Sequence, residues 1–183
     1  MKIAIFMNKV LSKISQIYRK RYFKEKTGNS TKSLKILGKL HLVNSNISIG
    51  RNCTFFEGVT FFGDGEIVIG DNVSIGQNTL IYSSKNGGVI IGDNSQIAAQ
   101  SYIIDTDHGI AAGDLIRNQP NTVKKIVIGN DVWIAAGCKI LKGSVINNGA
   151  IIGASSVVKG EIPENAIAVG IPAKVKKYRE GIE

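Results

Sequence analysis

The sequence predicts an all-β fold in which the chain winds as a parallel β-helix, with one α-helix before it and one loop extruded from it. Three observations predict this fold. Aliphatic residues recur every six positions over most of the chain, glycine is abundant at 21 of 183 residues, and proline is scarce at 3. A period of six is neither helical nor simply alternating, and it suits a short strand followed by a tight corner. A β-sandwich of short strands is the alternative, but it would not hold this period.

The repeat is unbroken from Ile128 to Val158 and recurs in shorter runs upstream. Three units of six would form a triangular coil of about eighteen residues, and stacked coils would bury one aliphatic column. Glycine and asparagine at the corners tolerate left-handed backbone angles. Seventeen inward positions predict between five and six coils. These positions are Leu37, Val43, Ile49, Phe55, Phe61, Ile69, Ile75, Ile81, Ile91, Ile97, Ile103, Ile128, Ile134, Ile140, Ile146, Ile152 and Val158.

Residues 1–28 are predicted to form a basic amphipathic N-terminal helix. Apolar residues from Ile3 and Phe6 to Tyr22 recur at spacings of three and four, which is a helical pattern. Residues 1–26 hold eight basic residues and one acidic residue, whereas the rest of the chain holds 15 basic and 13 acidic residues. We expect the apolar stripe to pack on the body of the protein, on a neighbouring subunit, or on the inner leaflet of a membrane. A solvated basic face is a further alternative.

The composition argues against several classes of protein. No run of eighteen apolar residues could span a membrane, and no secretory signal is found. Two cysteines, Cys53 and Cys138, are too few for a disulfide framework and fit a reducing cytoplasm. Two histidines are too few for a zinc site with three histidine ligands, so we expect no metal. No dinucleotide-binding or nucleophile-elbow motif occurs, and no nucleic-acid partner is expected.

The repeat resembles that of the hexapeptide-repeat acyltransferases, closest to the maltose, galactoside and nodulation acetyltransferases and to enzymes that acetylate bacterial surface polysaccharides. The resemblance covers residues 35–179 and is most specific from Ile128 to Lys174. It implies a left-handed β-helix over residues 29–173, followed by a basic tail at 174–183. It also implies acetyl-CoA as co-substrate and a homotrimer with its sites between subunits. The expected location is the cytoplasm, or the inner face of the membrane.

The repeat is interrupted three times, and the longest interruption predicts an extruded loop of about 109–125. Long excursions from a rigid scaffold usually carry function. His108 immediately precedes this loop, and a histidine is suited to taking a proton from an alcohol near neutral pH. The resemblance implies that His108 is the general base that activates an acceptor hydroxyl. The other histidine, His41, is interpreted as structural.

The resemblance also implies the residues that hold the donor. The backbone N–H of Ala136 matches the donor to the oxyanion that forms on the thioester carbonyl. Trp133 is expected beside the acceptor or the pantetheine, unless it is only an exposed packing residue. The backbone of Ala154 is expected to bond the pantetheine arm. The cations expected near the nucleotide end of CoA are Lys159, Lys174 and Lys177.

Three residues are expected to contact the acceptor. Asp105 and Asp107 flank His108 and would orient its imidazole or hold a sugar hydroxyl, unless both are solvated corner residues. Tyr82 stands where the maltose and galactoside enzymes place an asparagine, so the resemblance implies a different acceptor. The predicted reaction is O-acetylation of a sugar in a bacterial capsule or O-antigen, or in its precursor. The alternatives are a xenobiotic (antibiotic) or amino-sugar N-acetyltransferase, and a non-catalytic β-helix scaffold.

Overall fold

The computed structural model describes residues 2–30 and 32–181, apart from the side chains of residues 2–6, 8 and 9. One α-helix, α1 (Lys2–Thr27), precedes a stack of short strands. The first three coils contain β1 (Lys35–Leu37), β2 (His41–Leu42), β3 (Ile47–Ile49), β4 (Thr54–Phe56), β5 (Thr60–Gly63), β6 (Ile67–Ile69), β7 (Ser74–Ile75), β8 (Leu80–Ser83) and β9 (Val89–Ile91).

The fourth coil contains the longest excursion, and the later coils are regular. The fourth coil is formed by β10 (Gln96–Ile97), β11 (Tyr102–Ile104), β12 (Thr106–Asp107), β13 (Thr122–Val123) and β14 (Ile126–Ile128). The remaining strands are β15 (Trp133–Ile134), β16 (Lys139–Ile140), β17 (Val145–Ile146), β18 (Ile151–Ile152), β19 (Val157–Val158), β20 (Glu161–Ile162), β21 (Ala166–Val169) and β22 (Lys174–Tyr178).

Three parallel sheets form the walls of the β-helix. Sheet I has the order β1-β4-β7-β10-β15-β18-β21, sheet II has β2-β5-β8-β11-β16-β19, and sheet III has β3-β6-β9-β14-β17-β20. The chain therefore completes six coils and begins a seventh, and the predicted parallel β-helix with an N-terminal helix is confirmed. Strand β22 pairs antiparallel with β21. Residues 174–178, predicted as part of a basic tail, thus form the last strand of sheet I. Residues 182 and 183 of that tail lie outside the described residues.

The aliphatic column has the predicted register except in the first coil. Ile36 is fully buried there, whereas Leu37, predicted to face inward, is 46% exposed. Val43 is likewise exposed, and Leu42 faces the core in its place. The prediction was wrong at these two positions because the corner before Ile49 contains one residue more than the six-residue step. Since side chains alternate along a strand, a shift of one residue exchanges the inner and outer faces.

A ladder of side-chain hydrogen bonds holds the corners between sheets III and I. The N–H of Asp71 donates to Oδ1 of Asp93 over 2.7 Å, and the N–H of Asp93 donates to Oδ1 of Asn130 over 2.8 Å. The N–H of Asn130 continues the ladder to Oδ1 of Asn148 over 2.8 Å. A Cβ on Gly92 would lie 2.4 Å from Oδ1 of Asn130. The glycine that precedes each polar corner pair therefore makes room for the ladder.

The three interruptions of the repeat lie at one edge of the β-helix. The excursions follow β5, β8 and β11, which are strands of sheet II, and each leads into a strand of sheet III. The corner between sheets II and III is called the II–III corner below, and the corner between sheets I and II is called the I–II corner. The II–III corner carries the insertions, and the I–II corner keeps the short regular turn of the repeat.

Helix α1 covers the open end of the first coil. Phe23 is fully buried, and its ring centroid lies 6.0 Å from that of Phe55 in the second coil. The apolar residues from Met7 to Tyr22 remain largely exposed. The predicted apolar positions Ile3 and Phe6 lie outside the described side chains. Within residues 2–30 and 32–181, no helix has the length and apolar character needed to cross a bilayer.

The corrected register of the first coil predicts opposite effects for two neighbouring substitutions. Ile36→Ala removes a fully buried side chain and should lower the free energy of unfolding by about 2–5 kcal/mol, whereas Leu37→Ala should change it by less than about 1 kcal/mol. Urea unfolding followed by circular dichroism measures both values. A larger loss for Leu37→Ala than for Ile36→Ala would restore the register counted from the sequence.

Candidate active site

His108 lies at the beginning of the long excursion at the II–III corner. The short strands β12 and β13 pair antiparallel and form the base of the excursion, and His108 directly follows β12. Its side chain is exposed. A 3-10 turn at Ile116–Asn118 lies in the loop beyond it. The predicted loop thus leaves the scaffold where the repeat is interrupted, with the histidine at its foot.

The side chain of Gln119 closes the loop across its base. Ala111 donates its N–H to Oε1 of Gln119 over 2.8 Å, and Nε2 of Gln119 donates to the carbonyl of Ala111 over 2.9 Å. A Cβ on Gly109 would lie 2.6 Å from Cβ of Gln119. The chain therefore passes tightly beside Gln119 immediately after His108. Nothing in the sequence marks Gln119 as a functional residue, because a lone glutamine in a polar loop carries no pattern.

Asp105 is buried, and its carboxylate is occupied by the neighbouring loop at 83–88. It accepts hydrogen bonds from the N–H of Ser84 over 2.9 Å and from the N–H of Gly88 over 2.8 Å. The hydroxyl of Ser83 donates to it as well, over 3.3 Å. The prediction that Asp105 contacts the acceptor or the imidazole was therefore wrong. A fully buried carboxylate that already accepts hydrogen bonds from three residues is not accessible to a substrate. The alternative of a solvated corner residue is wrong as well.

Asp107 is exposed and pairs with a lysine of the next coil. Nζ of Lys142 lies 3.1 Å from Oδ2 of Asp107 and also donates to the hydroxyl of Thr122 across the base of the loop. No hydrogen bond joins either flanking carboxylate to the imidazole of His108 within the residues that the structure describes. Lys142 and Asp107 therefore fix the backbone that carries His108.

The donor residues predicted at 136 and 154 lie at the other edge, the I–II corner. The N–H groups of Ala135 and Gly137 bond to Ile152 and Ala99, but the N–H of Ala136 donates to no group in the described part of the chain. The residue is exposed. Ala154 occupies the same corner one coil later, and its N–H is equally without an acceptor among the described residues. This corner therefore presents backbone donors to the surroundings.

Trp133 stands on the outer face of sheet I, three residues before Ala136. Half of its surface is exposed, and it lines a shallow groove of about 250 Å³ together with Phe56 and Gln96. This groove borders the I–II corner through Ala98. The exposed aromatic ring is thus available to a ligand that lies along this corner.

The three predicted lysines fall at two different places. Lys159 follows β19 of sheet II and therefore lies at the II–III corner, on the same edge as His108. Lys174 and Lys177 lie on β22, at the end of sheet I. All three side chains are exposed.

Tyr82 is the third residue of β8 in sheet II and points outward. Its ring is half-buried and packs against the ring of Phe62 in the preceding coil, with centroids 5.3 Å apart. Phe62 was not predicted as a site residue, although the register of β5 and β8 pairs it with Tyr82. The two rings form an aromatic surface on sheet II beside the II–III corner.

The predicted residues therefore form two groups, separated by the width of sheet II. His108 belongs to the II–III corner, whereas Ala136, Ala154 and Trp133 belong to the I–II corner and sheet I. Cys53 and Cys138 are fully buried, and burial raises the pKa of both thiols, which disfavours the reactive thiolate form. In the described ranges 2–30 and 32–181, no cluster of histidine, cysteine, aspartate and glutamate has the size to hold a metal ion.

Known proteins similar to this chain include sugar-modifying acetyltransferases and acyltransferases. The family model described as bacterial transferase hexapeptide (six repeats) matches residues 125–160. A protein of Escherichia coli named as a lipopolysaccharide biosynthesis O-acetyl transferase, WbbJ, is 36% identical over 146 residues, which cover 74% of this chain and 74% of that protein. Galactoside O-acetyltransferase of Escherichia coli is 35% identical over 72% of this chain, and the match spans 53% of that enzyme.

Two further matches come from sugar-modifying enzymes. The dTDP-4-amino-4,6-dideoxy-D-glucose acyltransferase of Escherichia coli is 30% identical over 153 residues, covering 69% of this chain and 79% of that enzyme. The crystal structure of AntD, an N-acyltransferase from Bacillus cereus in complex with dTDP and 3-hydroxybutyryl-CoA, has the same fold. Its TM-score is 0.78 over 87% of each chain, at 23% identity. With the repeat, the coiled sheets and these relatives together, the chain belongs to the hexapeptide-repeat acetyltransferases.

Proposed function

We propose that this protein is an acetyl-CoA-dependent O-acetyltransferase that acts on a sugar hydroxyl of a bacterial surface polysaccharide, such as a capsule or O-antigen, or on its precursor. The observation that carries the proposal is the position of His108, an exposed histidine at the foot of the longest excursion from the rigid coils. The similarity to O-acetyltransferases over about three quarters of the chain supports the same reaction.

The proposed reaction begins with the acceptor hydroxyl beside the imidazole of His108. The ring takes the hydroxyl proton as the oxygen attacks the thioester carbonyl carbon, which forms one carbon–oxygen bond and places negative charge on the former carbonyl oxygen. The N–H of Ala136, which has no acceptor among the described residues, donates to that oxygen. The carbon–sulfur bond then breaks, and the CoA sulfur leaves with the proton that His108 held.

The I–II corner is the proposed donor side. Ala154 lies one coil beyond Ala136, and the two corners are joined by a hydrogen bond from Ser155 N–H to the carbonyl of Ala136 over 2.9 Å. A pantetheine arm running along the corner would meet one backbone donor per coil. Lys174 and Lys177 at the end of sheet I, and Lys159 on the facing subunit, would supply positive charge to the CoA phosphates.

A homotrimer would bring the two groups of residues together. His108 and Ala136 lie at different corners of one chain, with sheet II between them, so one chain does not present both to one small substrate. A heterologous ring of three copies places the II–III corner of one subunit against the I–II corner of the next. Three sites would then lie between subunits. The reaction is expected in the cytoplasm, which the two unpaired cysteines fit.

Tyr82 and Phe62 are proposed to contact the acceptor. Their rings lie on sheet II beside the corner that carries His108, and an aromatic surface suits the apolar face of a sugar ring. An amino-sugar N-acetyltransferase is the second candidate. The similarity to an acyltransferase for an amino-dideoxyglucose nucleotide favours it. The two candidates share the base and the donor site and differ in the acceptor atom.

Replacement of the proposed base should abolish turnover without affecting the fold. His108→Asn is expected to lower kcat by on the order of 10²–10⁴, because an amide does not take up the hydroxyl proton. The matched control is His41→Asn, which changes the other exposed histidine, in the first coil. Release of CoA thiol from acetyl-CoA measures the rate. Near-wild-type turnover in His108→Asn would remove this residue from the mechanism.

Mixed trimers test whether each site is shared between two chains. His108→Asn lacks the base, and Ala136→Trp blocks the exposed donor corner, so each variant alone should be inactive. Random co-assembly of equal amounts should restore about a quarter of the wild-type rate, since that fraction of interfaces joins an intact base to an intact donor corner. If both groups served one site within a chain, every site would carry a lesion and the mixture would stay inactive.

An acceptor screen distinguishes hydroxyl from amine transfer. Purified protein with acetyl-CoA is offered matched pairs of sugars that differ only by a hydroxyl or an amino group at one carbon, and the product is identified by NMR. We expect acetyl esters at hydroxyls and at least tenfold slower acetylation of the paired amines, because a site built for one acceptor group discriminates strongly against the other. Predominant amide products would favour the second candidate, and no thiol release with any acceptor would favour a non-catalytic scaffold.

A further inference from the structure

A groove of about 780 Å³ lies between α1 and the first coil, and none of its lining residues belongs to the candidate active site. The helix contributes one wall, and the strand region of sheet II in the first coil contributes the other. The walls are mostly apolar, and no described side chain fills the space between them. The lining residues that matter here are Leu11, Ile14, Tyr18, Arg19, Leu40 and Leu42.

Most of the apolar side chains that α1 contributes to this groove are exposed to solvent. Ile14 is 58% exposed and Tyr18 is more exposed still. Apolar side chains arranged along one concave surface favour an apolar occupant, because filling the groove would remove their surface from water. A single acyl chain has the slender apolar shape that such a groove would take.

Arg19 adds a feature that an apolar occupant alone does not explain. Its side chain lines the groove, and its Nε is buried without a hydrogen-bond partner in the described part of the chain. A buried donor without an acceptor is costly, and an anionic oxygen is the acceptor that a guanidinium binds best. The residue therefore points to an occupant that carries negative charge beside its apolar part.

The surroundings of the groove are strongly basic. Residues 13–39 include nine basic residues and one acidic residue, Glu25. The carboxylate of Glu25 is already paired with Arg21, with Oε1 of Glu25 2.9 Å from Nε of Arg21. A second copy that docked through this same face would place like charge against like charge, so the face complements an anionic surface instead.

We propose that this groove binds the acyl chain and phosphate of an anionic membrane phospholipid, and that the basic end of the β-helix is thereby held at a membrane surface. The acyl chain would lie between Ile14 and Leu40, and the phosphate oxygens would accept from Arg19. The binding site itself is independent of the acetyl transfer, but its use in catalysis rests on the proposed function.

Binding of the first coil to a membrane would hold the candidate active site at a fixed distance from the membrane surface. Adjacent strands of a sheet lie about 4.8 Å apart, so the fourth coil, which carries His108, stands about 14 Å above the first. Rotation about a threefold axis leaves heights along that axis unchanged, so the proposed trimer would bring three grooves to one membrane surface. Acceptors attached to membrane lipids would then be within reach of three sites.

Sedimentation with vesicles tests the groove by means of two matched isoleucines. Ile14 lines the groove, whereas Ile17 does not, although it lies on the same helix and is 67% exposed. The full chain is mixed with vesicles of phosphatidylcholine, or of phosphatidylcholine with phosphatidylglycerol. We expect binding to the anionic vesicles only, about tenfold weaker in Ile14→Ser than in the wild type, and unchanged in Ile17→Ser. Equal losses of binding in the two variants would show general adsorption of the helix and would contradict binding in the groove. No binding by the wild type would overturn the whole proposal.

A second pair of variants tests whether Arg19 binds a phosphate in the groove or only adds to the general attraction between the basic helix and an anionic surface. Arg19→Gln and Lys20→Gln each remove one positive charge from neighbouring positions, but only Arg19 lines the groove. The proposal expects the larger loss of vesicle binding in Arg19→Gln, and equal losses would contradict it. Thiol release with a soluble acceptor should stay at the wild-type rate in Ile14→Ser and Arg19→Gln. Inactivity of the wild type in that assay would count against the proposed function and leave the vesicle result standing.

Discussion

The hydrogen bonds between successive coils are the interaction on which this structure depends. Strands of two to four residues have no stability of their own, so each coil relies on the coil beside it for backbone partners and for cover over its aliphatic residues. Every coil must therefore place its strands in register with the previous one. This requirement accounts for the six-residue period, for the single inward aliphatic residue of each unit, and for glycines that leave space at the corners. It leaves the outward residues and the insertions free to differ.

The architecture could be predicted from the sequence because this requirement is local and repeated. The predicted register was wrong in the first coil, where the side chain of Asn44 forms the corner. The amide of Asn44 donates to the carbonyl of Gly65 over 2.8 Å, and its Oδ1 accepts from the N–H of Asn46 over 2.7 Å. A buried asparagine thus absorbs the additional residue, and a count of aliphatic spacing does not register it. Strand β22 was not predicted, for a different reason. All of its side chains are exposed, so only its backbone pairing with β21 makes it a strand.

The candidate site was predictable in part. The break in the six-residue repeat predicted the extruded loop, and it placed His108 immediately before that loop. The role of Asp105 did not follow from its neighbourhood, but the sequence held a signal: Ile103 faces inward and Ile104 outward, so alternation places Asp105 inward as well. The spacing of residues along the chain also does not show that the predicted site residues lie at two different corners of the β-helix. Only the assignment of each strand to a sheet separates His108 from Ala136 and makes a second subunit necessary for the proposed chemistry.

The proposed trimer also limits which of several equivalent corners could serve as the oxyanion donor. Five I–II corners, from the second coil to the sixth, present an N–H without an acceptor among the described residues, so the donor is a general property of the coil. These N–H groups belong to Glu57, Gln77, Ala99, Ala136 and Ala154. Rotation about a threefold axis keeps each coil at its own height, and the excursion with His108 leaves the fourth coil. Only the corners of the fourth and fifth coils, at Ala99 and Ala136, lie within about 4.8 Å of that height along the axis. The level at which the loop leaves the stack therefore limits the proposed donor to these two corners, and the chemistry needs no special residue at the corner itself.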